Sequence, residues 1–336
     1  MNATDANRPE APLLSITLPC HKQDPLLDRA LTSCLPMAER PDVEIVVSWN
    51  STDGEALGSF RKQYPGFRWY QPPQPLEMGA NWDYCLQQAR GRWCMVLSYD
   101  DVLLPDRLTA FLPTLAACDP GTGCVFGLCA EEDVWGSQTK LSLPVARGLR
   151  RIWRPGELWL HIPWGTPVHL PAALFRREVW RSAGGFDNGL AFACDAGLWE
   201  RVCRQHAVLK VSDYWSIYRW HPYSKASTRA AREDWVRLAL IYQRQLGTWD
   251  FLGRLLCRFG FSHQKYLAMK SDPEYHASVL NTSSWRDRIF WRGMHWMENT
   301  TIAGRPVIRV VSRVMLHLYG LIHHRLRPRN VRVRQE

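Results

Sequence analysis

The 336-residue sequence contains no CxxC pair, and its ten cysteines are scattered along the chain. Cys118, Cys124 and Cys129 lie near one another, but no His or Cys accompanies them at zinc spacing. Buried free thiols in a reducing cytoplasm are therefore expected. No run of roughly 18 uninterrupted apolar residues is present, which excludes a spanning helix. The opening MNATDANRPEAP is polar and acidic, unlike a secretory signal, and residues 1–12 are expected to be a disordered tail. The sequence also lacks GxxxxGK[ST], has no GxGxxG after its first apolar run, and has no GxSxG. P-loop, dinucleotide-binding and Ser-elbow hydrolase chemistries are thereby disfavoured.

What is present is a globular composition, 46% hydrophobic, with 17 tryptophans and a formal net charge of +10. The tryptophans suit core packing as well as stacking on a sugar or at a membrane interface. The charge is unevenly placed. Residues 1–230 hold 24 Lys/Arg against 24 Asp/Glu, whereas residues 231–336 hold 18 against 8. An anionic partner is expected for that last third alone, and an anionic membrane surface fits better than nucleic acid because no RNA-binding motif accompanies it.

Apolar periodicity predicts buried strands at 13–19, 43–48, 67–70, 93–98, 124–130 and 168–175, and helices at 25–35, 79–90, 105–117 and 195–204. Residues 208–219 end this alternating part, Asp53–Gly54 reads as a chain reversal, and the basic stretch 131–157 reads as a loop over the site. Strand–helix alternation implies a mostly parallel α/β sheet of crossover units, which binds ligands at the carboxyl ends of its strands. That rule brings Ser48–Asp53 and Ser98–Asp101 to one rim. Beyond about residue 230 the pattern is helical. Within 308–322, Val311, Val314, Met315, Leu318 and Ile322 face one way and Arg309, Arg313 and His317 the other, as in an interfacial helix or in one packed on the main domain.

Asp100–Asp101 closes the strand at 93–98. Adjacent carboxylates are costly to bury without a cation, and hard oxygens suit Mg²⁺ or Mn²⁺. An acidic start to the helix opening at Pro105 is an equally good account of the pair alone. Asp195 fits either a general base or a helix cap. Asp187 fits a turn. Trp164 and Trp199 fit core packing or sugar stacking. His161 fits an ordinary side chain.

Four segments together resemble the family 2 glycosyltransferases of the GT-A fold, over residues 13 to about 229. LSITLPCHKQDPLLDRALTSCL resembles the opening strand and helix. EIVVSWNSTDG resembles the second strand and its turn. MGANWDYCLQQARGRWCMVLSYDD resembles the donor-side helix, strand and acidic end. LFRREVWRSAGGFDNGLAFACDAGLWERV resembles the acceptor segment. The resemblance implies that Pro19, His21, Asn50, Asp53, Gly79, Asn81 and Asp100 contact the nucleotide-sugar donor. It implies that Asp100, with Asp101 and His221, holds Mg²⁺ or Mn²⁺, and that Gly184, Gly185 and Phe186 meet a glycan or lipid-linked acceptor, for which Trp164 is the candidate stacking residue. It implies that Asp195 is the base of an inverting transfer, in bacterial cell-surface polysaccharide assembly. The sequence departs from the pattern at Ser48–Trp49–Asn50, where the family has an Asp, and at Ser98, which replaces the first carboxylate of the acidic motif.

The expected organisation is a GT-A catalytic domain over 13–229 and a basic helical region over 230–336. The expected place is cytoplasmic, peripheral to the inner face of the membrane. A nucleotidyltransferase on a related sheet would want a Gly-rich basic loop where Pro19–Cys20–His21–Lys22 stands. A non-catalytic basic binding module would not need Asp100, Asp101 and Asp195.

Overall fold

A computed structural model describes residues 11–133, 139–141, 150–190, 193–220, 229–246, 251–271, 277, 281, 284–302, 305–308, 310–311 and 314–316. The chain falls into two compact units, one of residues 1–159 and 166–226, the other of residues 160–165 and 227–336.

The first unit is built on a ten-stranded sheet. Strands β1 (Leu14–Cys20), β2 (Val43–Trp49), β3 (Arg68–Tyr70) and β4 (Trp93–Val96) form its parallel half in the order β3-β2-β1-β4. β1 and β2 are buried along their whole length, as expected of strands covered on both faces. The order continues through β9 (Ala173–Arg176), β6 (Thr122–Asp133), β10 (Ala207–Trp220) and β5 (Val102–Leu103). β9 runs antiparallel to both β4 and β6, while β6 and β10 run parallel to each other. Two antiparallel steps restore the original direction, so β6 and β10 end at the same rim as β1, β2 and β4.

The crossover helices start where local chemistry starts them. Asp24 caps α1 (Pro25–Ala38), its carboxylate accepting from the amides of Leu26 and Leu27 ahead of Pro25 in the first turn. Asp53 caps α2 (Gly54–Gln63) by accepting the Ala56 amide at 3.0 Å. The chain reversal expected at Asp53–Gly54 is therefore a helix start. Turns and N-caps use the same residue types, and Ala56, Leu57 and Phe60 supply the buried face that extends this one. α3 (Met78–Gln87), α4 (Pro105–Ala116), α5 (Arg177–Ser182) and α6 (Cys194–Gln205) complete the unit.

Two expectations change within 131–175. The stretch 131–157 contains two further strands, β7 (Thr139–Leu141) on β6 and β8 (Arg150–Trp153) on β10. β8 pairs with Val208–Val211, the beginning of β10, so Arg150 and Arg151 lie at the end of the sheet away from the rim. Arg147 lies outside the described residues. The strand expected from residue 168 begins only at Ala173, after a 3-10 turn at Leu170–Ala172 that Pro171 opens.

The second unit is helical, with α7 (Arg229–Gln245), α8 (Phe251–Ser271) and α9 (Trp285–Asn299). Its core holds Tyr266, Met294 and Ile308, packed with Phe290, Trp291 and Met297. The segment at 160–165 passes so close to α8 that a Cβ on Gly260 would lie 2.8 Å from Pro163. Of the helix expected over 308–322, Arg309, Arg313, His317, Leu318 and Ile322 lie outside the described residues. No helix among the described residues is long and apolar enough to cross a membrane.

Candidate active site

The rim at the carboxyl ends of β1, β2 and β4 gathers most of the expected donor residues. Pro19 is buried within β1 beside Ser48. His21, just beyond β1, meets Tyr99 edge-on with ring centroids 4.9 Å apart. Lys22 lies 5.3 Å above the same tyrosine ring, so the β1 loop and the acidic loop are in contact. Asn50 clamps the segment before α3, donating to the Leu76 carbonyl at 2.8 Å and accepting the Leu76 amide at 2.7 Å. Asn81 on α3 accepts the Ser48 hydroxyl at 2.6 Å. Both asparagines thus order this rim from within it, while Asp53 is exposed with one oxygen engaged in capping.

The acidic pair is divided in environment. Asp100 is half-buried and Asp101 fully buried. Asp101 accepts the Arg219 amide through Oδ1 at 3.0 Å, while its Oδ2 is buried without a hydrogen-bond partner. Burial and then the negative charge of Asp100 drive the Asp101 carboxyl well above the ordinary carboxylate range, with the Arg219 amide acting the other way. Arg219 is itself fully buried, donating to Glu132 at 3.3 Å and reaching the Asp100 carbonyl at 3.5 Å. A divalent cation fits this arrangement. The donors are hard oxygens, a cation would let both carboxyls ionise side by side, and one buried oxygen lacks a partner. Among the described residues no three His, Cys, Asp or Glu side chains converge on one point, so such an ion would need oxygens from a ligand as well. His221 lies outside the described residues.

The turn at Gly184–Phe186, expected to meet the acceptor, packs on α3. Gly184 and Gly185 adopt φ of +81° and +76°, backbone that glycine alone enters without strain. Asp83 on α3 accepts the Phe186 amide at 3.0 Å and the Trp180 indole N–H at 2.8 Å. A Cβ on Gly185 would lie 2.7 Å from both Asp83 oxygens. Phe186 is buried, edge-on to Trp82 at 5.0 Å. From the other side Arg201 of α6 donates to the carbonyls of Ala183 and Gly185, and its guanidinium lies 3.7 Å from Asp187. Gly79, at the start of α3, faces Asn188 and Cys194, the residue before Asp195.

Asp195 therefore stands beside α3. It is not the cap of its own helix, whose N-cap is Ala193. Asp195 occupies the first turn and accepts the Ala196 amide at 2.7 Å. Burial pushes its carboxyl up to about 6, against smaller lowering by the Ala196 and Asp195 amides. Trp199, further along α6, is fully buried between Phe126 and Phe175, a core residue with no face for a sugar. Trp164 belongs to the second unit and its side chain lies outside the described residues.

Asp83, Arg201 and Arg219 carry much of this geometry and were not singled out from the sequence. Asp83 had a local signal, being four residues after Gly79 on the same helical face. Also at the rim, His169 stacks on Tyr218 with centroids 4.8 Å apart and lies 3.5 Å from Glu131. Burial lowers the His169 pKa.

Residues 15–179 match the family model described as Glycosyl transferase family 2. Over 252 residues, 72% of this chain and 76% of the relative, the sequence is 27% identical to an uncharacterized protein, MT1568, of Mycobacterium tuberculosis (strain CDC 1551 / Oshkosh). Among solved structures, the fold resembles the mannosyltransferase PcManGT of Pyrobaculum calidifontis, in complex with GDP-Man and Mn²⁺. That likeness has a TM-score of 0.54 and 17% identity, over 95% of this chain and 88% of that one. It also resembles S. aureus TarS 1-349 in complex with UDP-GlcNAc, with a TM-score of 0.52 and 13% identity, over 84% and 79% of the two chains. The matched segment carries β1 to β4, the acidic pair and the strand that leads into the Gly184–Phe186 turn, so residues 15–179 match the glycosyl transferase family 2 model on a mostly parallel sheet of the GT-A fold.

Proposed function

We propose that this chain transfers a hexosyl or deoxyhexosyl group from a nucleotide-sugar donor to a hydroxyl of a glycan or lipid-linked acceptor, with inversion. The observation that carries this reading is the position of Asp195. Its carboxyl, held at about 6, stands one residue from Cys194, which faces Gly79 on the helix that also orders the donor rim. A carboxylate with a pKa near neutrality is ionised enough to accept a proton and basic enough to hold it.

In the proposed step the acceptor oxygen forms its bond to the anomeric carbon as the bond from that carbon to the diphosphate oxygen breaks. The acceptor proton passes to the Asp195 carboxylate and the electron pair leaves on the nucleoside diphosphate. A Mg²⁺ or Mn²⁺ ion, when bound, supplies positive charge to the diphosphate. Asp100 would hold it, with the Oδ2 of Asp101 beside it. His21, Asn50, Asp53, Gly79 and Asn81 would frame the donor, and the turn at Gly184–Phe186 would present the acceptor. The acceptor would belong to cell-surface polysaccharide assembly, which suits a basic chain at the inner face of a membrane.

The test is Asp195→Asn. Transfer to an acceptor should be abolished while nucleotide-sugar binding, read by thermal shift with and without Mn²⁺, persists. A fully active Asn variant would remove Asp195 from the base role. A chain that no nucleotide sugar stabilises, with or without the ion, would remove the transferase reading.

A further inference from the structure

The basic, tryptophan-rich second unit exposes a face that the transferase reading does not use. α9 buries Met294, with Phe290 and Met297 on the same side. Its other side carries Trp285, 67% exposed, Ile289, 59% exposed, and Trp296, 59% exposed. At 100° per residue, positions 285, 289 and 296 fall within about 40° of one another, so the three side chains form one stripe along about three turns. Arg288, Arg292 and His295 are exposed along the flank of that stripe. α8 repeats the composition at its start, where Phe251 is 75% exposed and Arg254 and Arg258 follow on the same face.

Large apolar side chains exposed in a row are unfavourable in water, each forgoing about 1.5–3 kcal/mol of burial. Tryptophan flanked by arginine is the chemistry of a lipid headgroup layer. The indole rings settle at the boundary of the acyl chains while the guanidinium groups meet phosphates. The charge of the chain agrees, since its whole basic excess lies in residues 231–336. An isoleucine at the centre of the stripe has no use on a nucleic acid, whose bases stack on aromatic rings.

We infer that the exposed Trp285–Ile289–Trp296 face of α9 is a membrane-docking surface that binds an anionic bilayer in the plane of its headgroups. The bound helix lies along the surface and does not span it, consistent with the absence of a spanning helix among the described residues. This goes beyond the transferase reading and stands without it.

The test is co-sedimentation of the full chain with vesicles of phosphatidylcholine alone and with 30% phosphatidylglycerol. Wild type should bind the anionic vesicles, weakly at high salt and hardly at all to the neutral ones. Tryptophan emission should shift to the blue on binding. The variant Trp285→Ser/Ile289→Ser/Trp296→Ser should weaken binding by roughly tenfold or more, and Arg292→Glu by a few-fold. Circular dichroism of both variants should match wild type, and a second triple variant to Ala covers a Ser variant that fails to fold. Three results would overturn the inference: wild type left in the supernatant with anionic vesicles; folded triple variants that bind as wild type does; or a sedimentation equilibrium showing that the stripe holds two copies together and is buried there. Binding to single-stranded polynucleotide that outcompetes the anionic vesicles and is lost in the same variants would overturn it in favour of a nucleic acid.

Discussion

The carboxylate of Asp83 accepts the backbone N–H of Phe186, 103 residues further along the chain, at 3.0 Å. With the Trp180 indole N–H on the same carboxylate, one side chain of α3 fixes the turn that precedes Asp195. Removing it would leave a backbone amide and an indole N–H without their acceptor. Asp83→Ala should destabilise the chain by about 2–4 kcal/mol, and Asp83→Asn by less, since one oxygen still accepts. Gly185→Ala should cost at least about 1–3 kcal/mol, because its φ of +76° is strained for any other residue and the new methyl would meet Asp83. Urea denaturation read by tryptophan fluorescence measures all three. An Asp83→Ala variant as stable as wild type would mean that the turn does not depend on this carboxylate.

Asp195 makes stability and catalysis depend on pH in opposite directions. Its folded carboxyl lies at about 6, above its unfolded value. Between those two values the native state binds the extra proton, so stability should fall as pH rises through that window and level off above about 6. Catalysis runs the other way, since the base must be ionised: kcat/KM should fall with unit slope as pH drops below about 6. Asp195→Asn removes a partly buried charge and should raise stability by about 1–3 kcal/mol at pH 7.5 while leaving it nearly unchanged near pH 3.5. Unfolding curves at the two pH values check the stability effect, and a pH–rate profile without an acid limb near 6 would count against the base assignment.

The acidic pair should respond unequally to substitution. Asp100→Ala should abolish the gain in nucleoside diphosphate binding that Mn²⁺ confers, measured by titration calorimetry, with little loss of stability. Asp101→Asn should keep its fold, because an amide oxygen can still accept the Arg219 N–H and the neutral side chain suits a buried site. Arg219→Met, which strips a buried guanidinium from Glu132, should cost about 3 kcal/mol. Equal effects of Asp100→Ala and Asp101→Asn on metal-linked binding would show that both carboxylates act as ligands.

Thiol reactivity offers a check on the core. Of the ten cysteines only Cys118 is partly exposed, and burial raises even its thiol above the ordinary value. Titration with a chromogenic disulfide at pH 8 should modify Cys118 slowly and spare the remainder until denaturant is added, when all ten should react. Rapid reaction of several thiols in the native chain would contradict the packing of β1, β4 and α6.

The sequence by itself determined the alternating strands and helices of the parallel half of the sheet and their order. β1, β2 and β4 are short apolar runs, α1 starts at Asp24–Pro25, and α4 starts at Pro105, because periodicity and capping act within four or five residues. Asp53 marks where local signals run out, since the same residue opens a turn or a helix and only the buried face of α2 decides. The site itself was legible as a set of residue types, two adjacent acids at a strand end and an acid after Gly-Gly-Phe-Asp. What the tertiary structure alone decided is how the acids differ. Asp101 is buried because β10 returns 118 residues later to offer the Arg219 amide, and Asp195 stands next to α3 because Asp83 and Gly79 draw the Gly184–Phe186 turn onto that helix. Contacts at such separations follow from the order of strands in the sheet, which no local pattern encodes, and they set the burial on which each carboxyl's protonation depends.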